Sequence, residues 1–272
     1  MRVDHERLKR NVPESIEAIL LGFIEGITEF LPISSTGHLL IAQHWLGPRS
    51  DLFNIAIQVG AILGVVVVYR QRLIDLSLHL RSVENRDYLY KLVGAFLITA
   101  VAGVGVKLAG AELPETVAPV AIALILGGVA ILGVERWLAN ATPNERVTWL
   151  VVVCVGLSQV VAGVFPGTSR SAAAIFAAML AGLTSRSAAA EFAFLVGIPT
   201  MIAAAGYEFL DLLGEQGLGG ENWSSLAIAF IVAAVVAFAS VKWLLIYIRT
   251  HRFTVFAWYR IVFGAVLLAV VR

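Results

Sequence analysis

The stretch EGITEFLPISSTGH, residues 25–38, places two carboxylates, a Ser-Ser-Thr run and an imidazole within an otherwise apolar region. On a helix, Glu25 and Glu29 are spaced i, i+4 and share one face, where their like charges repel. Proline, serines and a glycine follow and break the helical pattern. Polar groups gathered in such surroundings indicate a functional site rather than ordinary packing.

The whole chain has the composition of an integral membrane protein. Of its 272 residues, 59% are hydrophobic and 14% charged, and the mean hydropathy is +0.85, far from the balance of soluble domains. A hydrocarbon core is crossed by about 20 apolar residues. Six spans are predicted on that basis, at residues 52–69, 92–108, 117–134, 188–206, 226–248 and 255–271.

Charge and cysteine content exclude several other classes. The net charge of +1 argues against a general polyanion binder, so no nucleic-acid partner is expected. Cys154 is the sole cysteine, so the chain forms no internal disulfide. Residues 1–10 are too charged and lack the cleavage site of a secretory signal.

Two further hydrophobic regions, residues 12–46 and 147–183, are each interrupted by a Pro, Ser, Thr and Gly cluster. They are predicted to form helix, loop, helix. Irregular backbone at membrane depth is tolerated only where protein or water covers it. The sequence therefore predicts two re-entrant hairpins that line a cavity.

The two interrupted regions resemble each other at an offset of 134. Residues 22–37 laid over 156–171 align Glu25 with Gln159, Pro32 with Pro166, Ser34 with Thr168, Ser35 with Ser169 and Thr36 with Arg170. Three predicted spans follow each region, and an odd number inverts the second half. The predicted fold is an all-α polytopic membrane protein of two inverted-topology repeats, approximately 12–137 and 147–271.

Loop charges predict the orientation. The loops at 70–91, 136–146 and 249–252 are basic, whereas 207–223 carries four acidic residues and no Lys or Arg. The positive-inside rule places the basic loops in the cytoplasm and the acidic one outside. The basic N-terminus would then also lie outside, against the rule, as a surface arm.

The paired carboxylates Glu25 and Glu29 suit a hard divalent cation such as Mg²⁺, with Ca²⁺ as an alternative. The alternative structural interpretation is a packing pair satisfied by Arg170 or by hydroxyls.

The tips ISSTGH and FPGTSRS offer hydroxyls and free backbone N–H groups to an anion, and Arg170 adds a guanidinium that matches phosphate. Ordinary helix capping explains the small residues equally well. His38 is either a packing residue, a general base or a nucleophile.

At these residues the chain closely resembles the undecaprenyl-diphosphate phosphatase family, the BacA or UppP type associated with bacitracin resistance. Glu25 and Glu29 match the family's glutamate motif. Its second motif, PGxSRSxxT, is matched by PGTSRSAAA, residues 166–174, with Ala174 in place of the final Thr, and EFAFLVGIPT at 191–200 also looks like the family.

The resemblance implies an inner-membrane enzyme that hydrolyses a polyprenyl diphosphate, its lipid partner, to the monophosphate for envelope glycan synthesis. It implies an extracytoplasmic active site at the two tips, dependent on a divalent cation held by Glu25 and Glu29. Arg170 would grip the diphosphate, and His38 or Ser34 would supply the nucleophile or base. The phosphate pocket would be lined by Ser35, Thr36, Gly167, Thr168, Ser169 and Ser171. A homodimer and a monomer are both left open.

Two rival functions are considered. A polyprenyl-phosphate flippase or transporter would use the same midplane anion site, since inverted repeats with broken helices suit alternating access. A phosphatidic-acid-type phosphatase requires a His six residues beyond the Arg of its Ser-Arg motif. The residue at that position is Phe176, so this family is rejected.

Overall fold

The computed structural model describes residues 13–109, 117–215 and 222–270, with the backbone alone at 215. Within these ranges the chain forms eleven α-helices, one 3₁₀ turn at Leu138–Asn140, and no strand. The helices are α1 (Glu14–Thr28), α2 (Ser35–Leu46), α3 (Asp51–Val68), α4 (Arg70–Leu78), α5 (Val83–Leu108), α6 (Val117–Trp137), α7 (Trp149–Val164), α8 (Arg170–Leu180), α9 (Arg186–Glu215), α10 (Trp223–Tyr247) and α11 (Thr254–Val270).

Five of these helices, α3, α5, α6, α9 and α10, are long and apolar enough to cross a membrane. The sixth predicted span, 255–271, coincides with α11, whose 17 residues fall at the short end of the crossing range. Large apolar side chains such as Val101, Leu126 and Val235 are exposed along the outer faces. The all-helical, multi-pass membrane fold predicted from composition is therefore confirmed.

The two interrupted regions form the helix pairs α1–α2 and α7–α8. Ser34 and Ser169 precede the second helix of each pair and adopt positive φ angles of 72° and 69°. The sequence alignment at offset 134 is therefore wrong beyond the prolines, because Gly167 adds one residue to the second turn. The structure makes Ser34 equivalent to Ser169 and Ser35 equivalent to Arg170.

The packing of the two halves shows a reciprocal pattern. Helix α10 packs on α1 and α3, and α5 packs on α7 and α9, while α6 packs on α11. Each half thus covers the first helix of the broken pair and the helix that follows the pair in the other half, as two related repeats would. The repeat bounds and their inverted membrane orientation stay predictions. The basic N-terminal arm, residues 1–10, lies outside the described residues.

A buried ion pair holds the start of α11, at Thr254, in place. The Glu135 carboxylate is 1% exposed and accepts two hydrogen bonds from Arg186, at 2.9 and 2.5 Å. It also accepts from the backbone N–H of Phe253 at 2.9 Å. Because these bonds compensate the buried charge, Glu135 ties α6, α9 and the start of α11 together.

Glycines permit the close contact of α3 with α10. A Cβ atom added at Gly60 would collide with the carbonyl oxygen of Phe230, and one at Gly64 would lie 2.5 Å from that of Ala234. Membrane helices without a hydrophobic driving force between them depend on such close backbone packing. This contact supports α3, which forms part of the wall of the cavity described below.

We predict that Gly64→Val lowers the melting temperature of the detergent-solubilised protein. Overpacking at this contact is expected to destabilise the fold by about 1–3 kcal/mol. Gly103→Val is the matched control, because nothing lies within 4 Å of its added Cβ. Equal melting temperatures for the two variants would contradict the assigned contact.

Candidate active site

The tips of the two helix pairs border one cavity of about 940 Å³. The first pair contributes Glu25, Glu29, Ser35 and Thr36 to its wall, and the second contributes Arg170. Arg170 is at least 134 positions from each of the other four residues in the sequence, yet all five line the same cavity. The structure thus brings together the predicted acidic pair and the predicted anion-binding arginine.

The acidic pair is buried against a hydroxyl group. Glu25 is 2% exposed and Glu29 is 8% exposed. One carboxylate oxygen of Glu25, Oε2, has no hydrogen-bond partner within the described part of the chain. The Ser35 hydroxyl donates to Oε2 of Glu29. The pair therefore offers an open oxygen for a cation and a carboxylate positioned to take a proton from Ser35.

The cavity wall contains three further carboxylates, Asp51 at the start of α3 and Glu208 and Asp211 near the end of α9. Sequence reasoning treated Glu208 and Asp211 as loop charges only, and it assigned nothing to His44, which also lines the cavity. Five carboxylates face a single arginine among the described lining residues. A diphosphate would be repelled there unless a cation accompanied it.

The remaining predicted residues of the second tip lie away from the described wall of this cavity. The Ser171 hydroxyl donates to the Leu31 carbonyl of the first tip at 3.0 Å. The Ser169 hydroxyl lies 3.1 Å from that of Ser171 and accepts the Ala172 backbone N–H at 3.3 Å. These serines hold the turns in place, and their predicted contact with phosphate stays a prediction.

Gly167 and Thr168 also lie outside the described wall. Gly167 has a φ angle of 92°, and an added Cβ would lie 2.5 Å from the Val120 carbonyl oxygen. Glycine is therefore required for the second turn to approach α6. Thr168 is half-buried, and its backbone N–H donates to the Phe165 carbonyl at 3.1 Å.

A fully buried arginine on α11 joins the two turns. Arg260 is 0% exposed and donates to the Pro32 carbonyl of the first turn at 3.4 Å and to the Gly167 carbonyl of the second at 3.1 Å. It also donates to the carbonyls of Ala123 and Leu124 on α6, at 3.2 and 3.3 Å. Sequence reasoning missed Arg260, although an arginine inside a predicted span is itself a signal of function.

His38 faces away from the main cavity. It lies beside a lateral groove of about 400 Å³ lined by α1 and α11. Its Nδ1 lies 2.7 Å from the Ser34 carbonyl oxygen, its Nε2 lies 2.6 Å from the Tyr259 hydroxyl, and its ring stacks on Phe263. Because a carbonyl only accepts, Nδ1 carries the hydrogen, and in the neutral imidazole Nε2 accepts from the Tyr259 hydroxyl. Both ring nitrogens are therefore engaged outside the described wall of the cavity.

Ser34, the other predicted nucleophile, is 3% exposed and does not belong to the described wall of the cavity. Its carbonyl is held by His38. The predicted catalytic roles of Ser34 and His38 stay predictions, and the geometry gives both residues a part in fixing the first turn.

Comparisons with known proteins place the chain among relatives of high identity. The family model described as bacitracin resistance protein BacA matches residues 18–266. A Rhizobium etli protein named undecaprenyl-diphosphatase is 62% identical over 253 residues, which are 93% of this chain and 96% of that protein. Proteins of the same name from Stenotrophomonas maltophilia and Xanthomonas campestris are 62% and 59% identical, with the same coverage.

We predict that ¹⁵N spectra of histidine-labelled protein show His38 as the neutral tautomer with its hydrogen on Nδ1. Tyr259→Phe removes the donor to Nε2 and is expected to shift the Nε2 resonance of His38. The resonances of the other four histidines are expected to stay unchanged. The His38→Gln spectrum assigns the signal by its absence. A hydrogen on Nε2 of His38, or no shift in Tyr259→Phe, would contradict the assigned contacts.

Proposed function

The chain belongs to the bacitracin resistance protein BacA family, and on that premise we propose that its central cavity is the site where undecaprenyl diphosphate is hydrolysed. The products are undecaprenyl monophosphate and inorganic phosphate, so the enzyme is a membrane hydrolase that recycles the lipid carrier for envelope glycan synthesis. The observation that carries this assignment is the meeting of Glu25, Glu29, Ser35 and Arg170 in one cavity.

A divalent cation, Mg²⁺ or Ca²⁺, fits the residues of this cavity. The open Oε2 of Glu25 is a buried carboxylate oxygen without a partner among the described residues, and the adjacent Glu29 supplies a second carboxylate. Hard cations of this kind take such ligands together with waters and substrate phosphates. When bound by Glu25 and Glu29, the ion would neutralise part of the diphosphate charge.

Arg170 is proposed to bind the diphosphate. It is the sole arginine or lysine among the described residues of the wall, and a guanidinium presents paired N–H donors that match phosphate oxygens. It is also the first residue of α8, where the helix dipole favours an anion. Thr36, exposed on the same wall, adds a neutral hydroxyl donor. Charge and hydrogen bonding at these positions would stabilise the transferring phosphoryl group.

Ser35 is proposed as the nucleophile, because its hydroxyl already donates to Glu29. Its Oγ forms a bond to the terminal phosphorus while its proton passes to the Glu29 carboxylate. The bond to the bridging oxygen breaks, and undecaprenyl monophosphate leaves with that electron pair. Water then attacks the phosphorus of the phosphoserine, and the bond between Ser35 Oγ and phosphorus breaks. The water oxygen and its protons leave with the phosphate, while Ser35 Oγ recovers its proton from Glu29.

The active site is proposed to face the extracytoplasmic side of the plasma membrane. Glu208 and Asp211 in the cavity wall lie at the end of α9 that leads into the acidic loop. The basic loops lie at the other ends of the helices, which the positive-inside rule places in the cytoplasm. The polar reaction would thus occur at the outer surface, where the lipid diphosphate can reach it from the bilayer.

A flippase would need the same anion site but no nucleophile beside a base. The Ser35 and Glu29 pair therefore favours hydrolysis over transport without chemistry. Release of phosphate distinguishes the two functions directly.

We predict that the purified protein releases phosphate from undecaprenyl diphosphate when Mg²⁺ or Ca²⁺ is present and that chelation stops the release. Ser35→Ala, Glu25→Gln and Arg170→Ala are each expected to lower kcat/KM by about 10²-fold or more, as loss of a nucleophile, a ligand or a charge-stabilising group does. His79→Ala, on the exposed basic loop, is the control expected to retain wild-type activity.

Quenched reactions with labelled substrate separate the candidate nucleophiles. An acid-stable phosphoenzyme that is absent in Ser35→Ala supports the proposed serine. An acid-labile phosphoenzyme that persists in Ser35→Ala would replace it by His38, and no phosphate release with any divalent ion would favour the flippase.

A further inference from the structure

Gln159 is a buried amide whose hydrogen-bonding groups are unused. It lies on α7, the helix that leads to the second tip, and is 4% exposed. Neither its side-chain nitrogen nor its side-chain oxygen has a hydrogen-bond partner within the described parts of the chain. Burying both groups without hydrogen bonds costs free energy of folding, so a polar molecule is expected beside them.

A small cavity adjoins this amide. It measures about 20 Å³, and its polar lining residues are Glu29, Gln159, Arg170 and Ser171. The rest of the lining is apolar and includes Phe30, Ala174, Phe194 and Met201. The volume suffices for a water molecule but is far too small for a phosphate group. Glu29 and Arg170 also line the main cavity, so the two cavities adjoin at these residues.

We propose that this cavity holds an ordered water, and that Gln159 acts through it as a positioning residue for Arg170. Glu29 can only accept hydrogen bonds when ionised, and Arg170 can only donate. A water can accept from the guanidinium and donate to a carboxylate or to the Gln159 carbonyl. The Gln159 NH₂ group can in turn donate to the water or to Glu29. The arrangement satisfies the amide and fixes the guanidinium that binds the diphosphate.

The amide also explains why this position differs from its counterpart in the first half. The sequence alignment pairs Gln159 with Glu25. A carboxylate at 159 would form an ion pair with Arg170 and hold it away from the substrate. A neutral amide positions Arg170 without neutralising it, so the guanidinium charge stays available to the diphosphate.

The test rests on the proposed function and uses the full-length protein in detergent. Gln159→Met keeps the length of the side chain and removes its hydrogen bonds, and Ser158→Ala on the same helix is the control. Gln159→Met is expected to raise KM for undecaprenyl diphosphate about tenfold, the size of losing a hydrogen bond to a charged group. Its kcat and melting temperature are expected to stay near those of wild type. Gln159→Glu is expected to raise KM as well, because the new carboxylate pairs with Arg170.

A double-mutant cycle shows whether Gln159 acts through Arg170. Affinity for the methylene-bridged analogue of the substrate is measured in wild type, Gln159→Met, Arg170→Ala and the double variant. The proposal predicts that Gln159→Met has no further effect once Arg170 is absent. Additive losses, an unchanged KM in Gln159→Met, or a loss confined to melting temperature would overturn it. An experimental high-resolution structure with a dry cavity would also overturn it. Failure of the wild type to release phosphate would instead refute the proposed function.

Discussion

The active site depends on one buried cation, the guanidinium of Arg260. It donates to a carbonyl in each of the two interrupted turns, at Pro32 and Gly167, and to two carbonyls of α6. Broken helices leave carbonyls without intrahelical donors, and a bilayer offers no water to satisfy them. Arg260 supplies those donors from inside the protein. An added Cβ at Gly127 would collide with the guanidinium, so this glycine makes room for it.

The hydrogen bonds of Arg260 to both turns and to α6, called the Arg260 clamp, also determine which charged residues face each other. With the turns fixed against α6, Arg170 from one half faces Glu25 and Glu29 from the other across a shared cavity. The cross-bond from Ser171 to the Leu31 carbonyl adds a second link between the halves. In the proposed reaction these groups would need little rearrangement to meet a diphosphate, as electrostatic stabilisation of phosphoryl transfer requires. The proposed cation would offset the negative charge that the acidic wall and the diphosphate share.

The sequence predicted the parts of the site that carry an isolated chemical signal. Paired glutamates and an arginine stand out among apolar residues, so the sequence predicts Glu25, Glu29 and Arg170 as site residues, and the structure brings all three to one cavity. Which hydroxyl faces the cavity was not predictable, because it depends on the backbone of the first turn, where Ser34 has a positive φ angle and Ser35 begins α2. The contact of His38 with Tyr259 was not predictable either, since the two residues are 221 positions apart and only the packing of α11 brings them together.

The most direct test measures the distance between the two tips with and without Arg260. Spin labels at positions 36 and 165, in a Cys154→Ser background, report that distance by dipolar electron paramagnetic resonance. Both positions are exposed and lie in or beside the first and second tips. One narrow distance distribution in the parent protein that broadens in Arg260→Met, with the helical content retained, is the predicted result. The same narrow distribution in Arg260→Met would contradict the clamp.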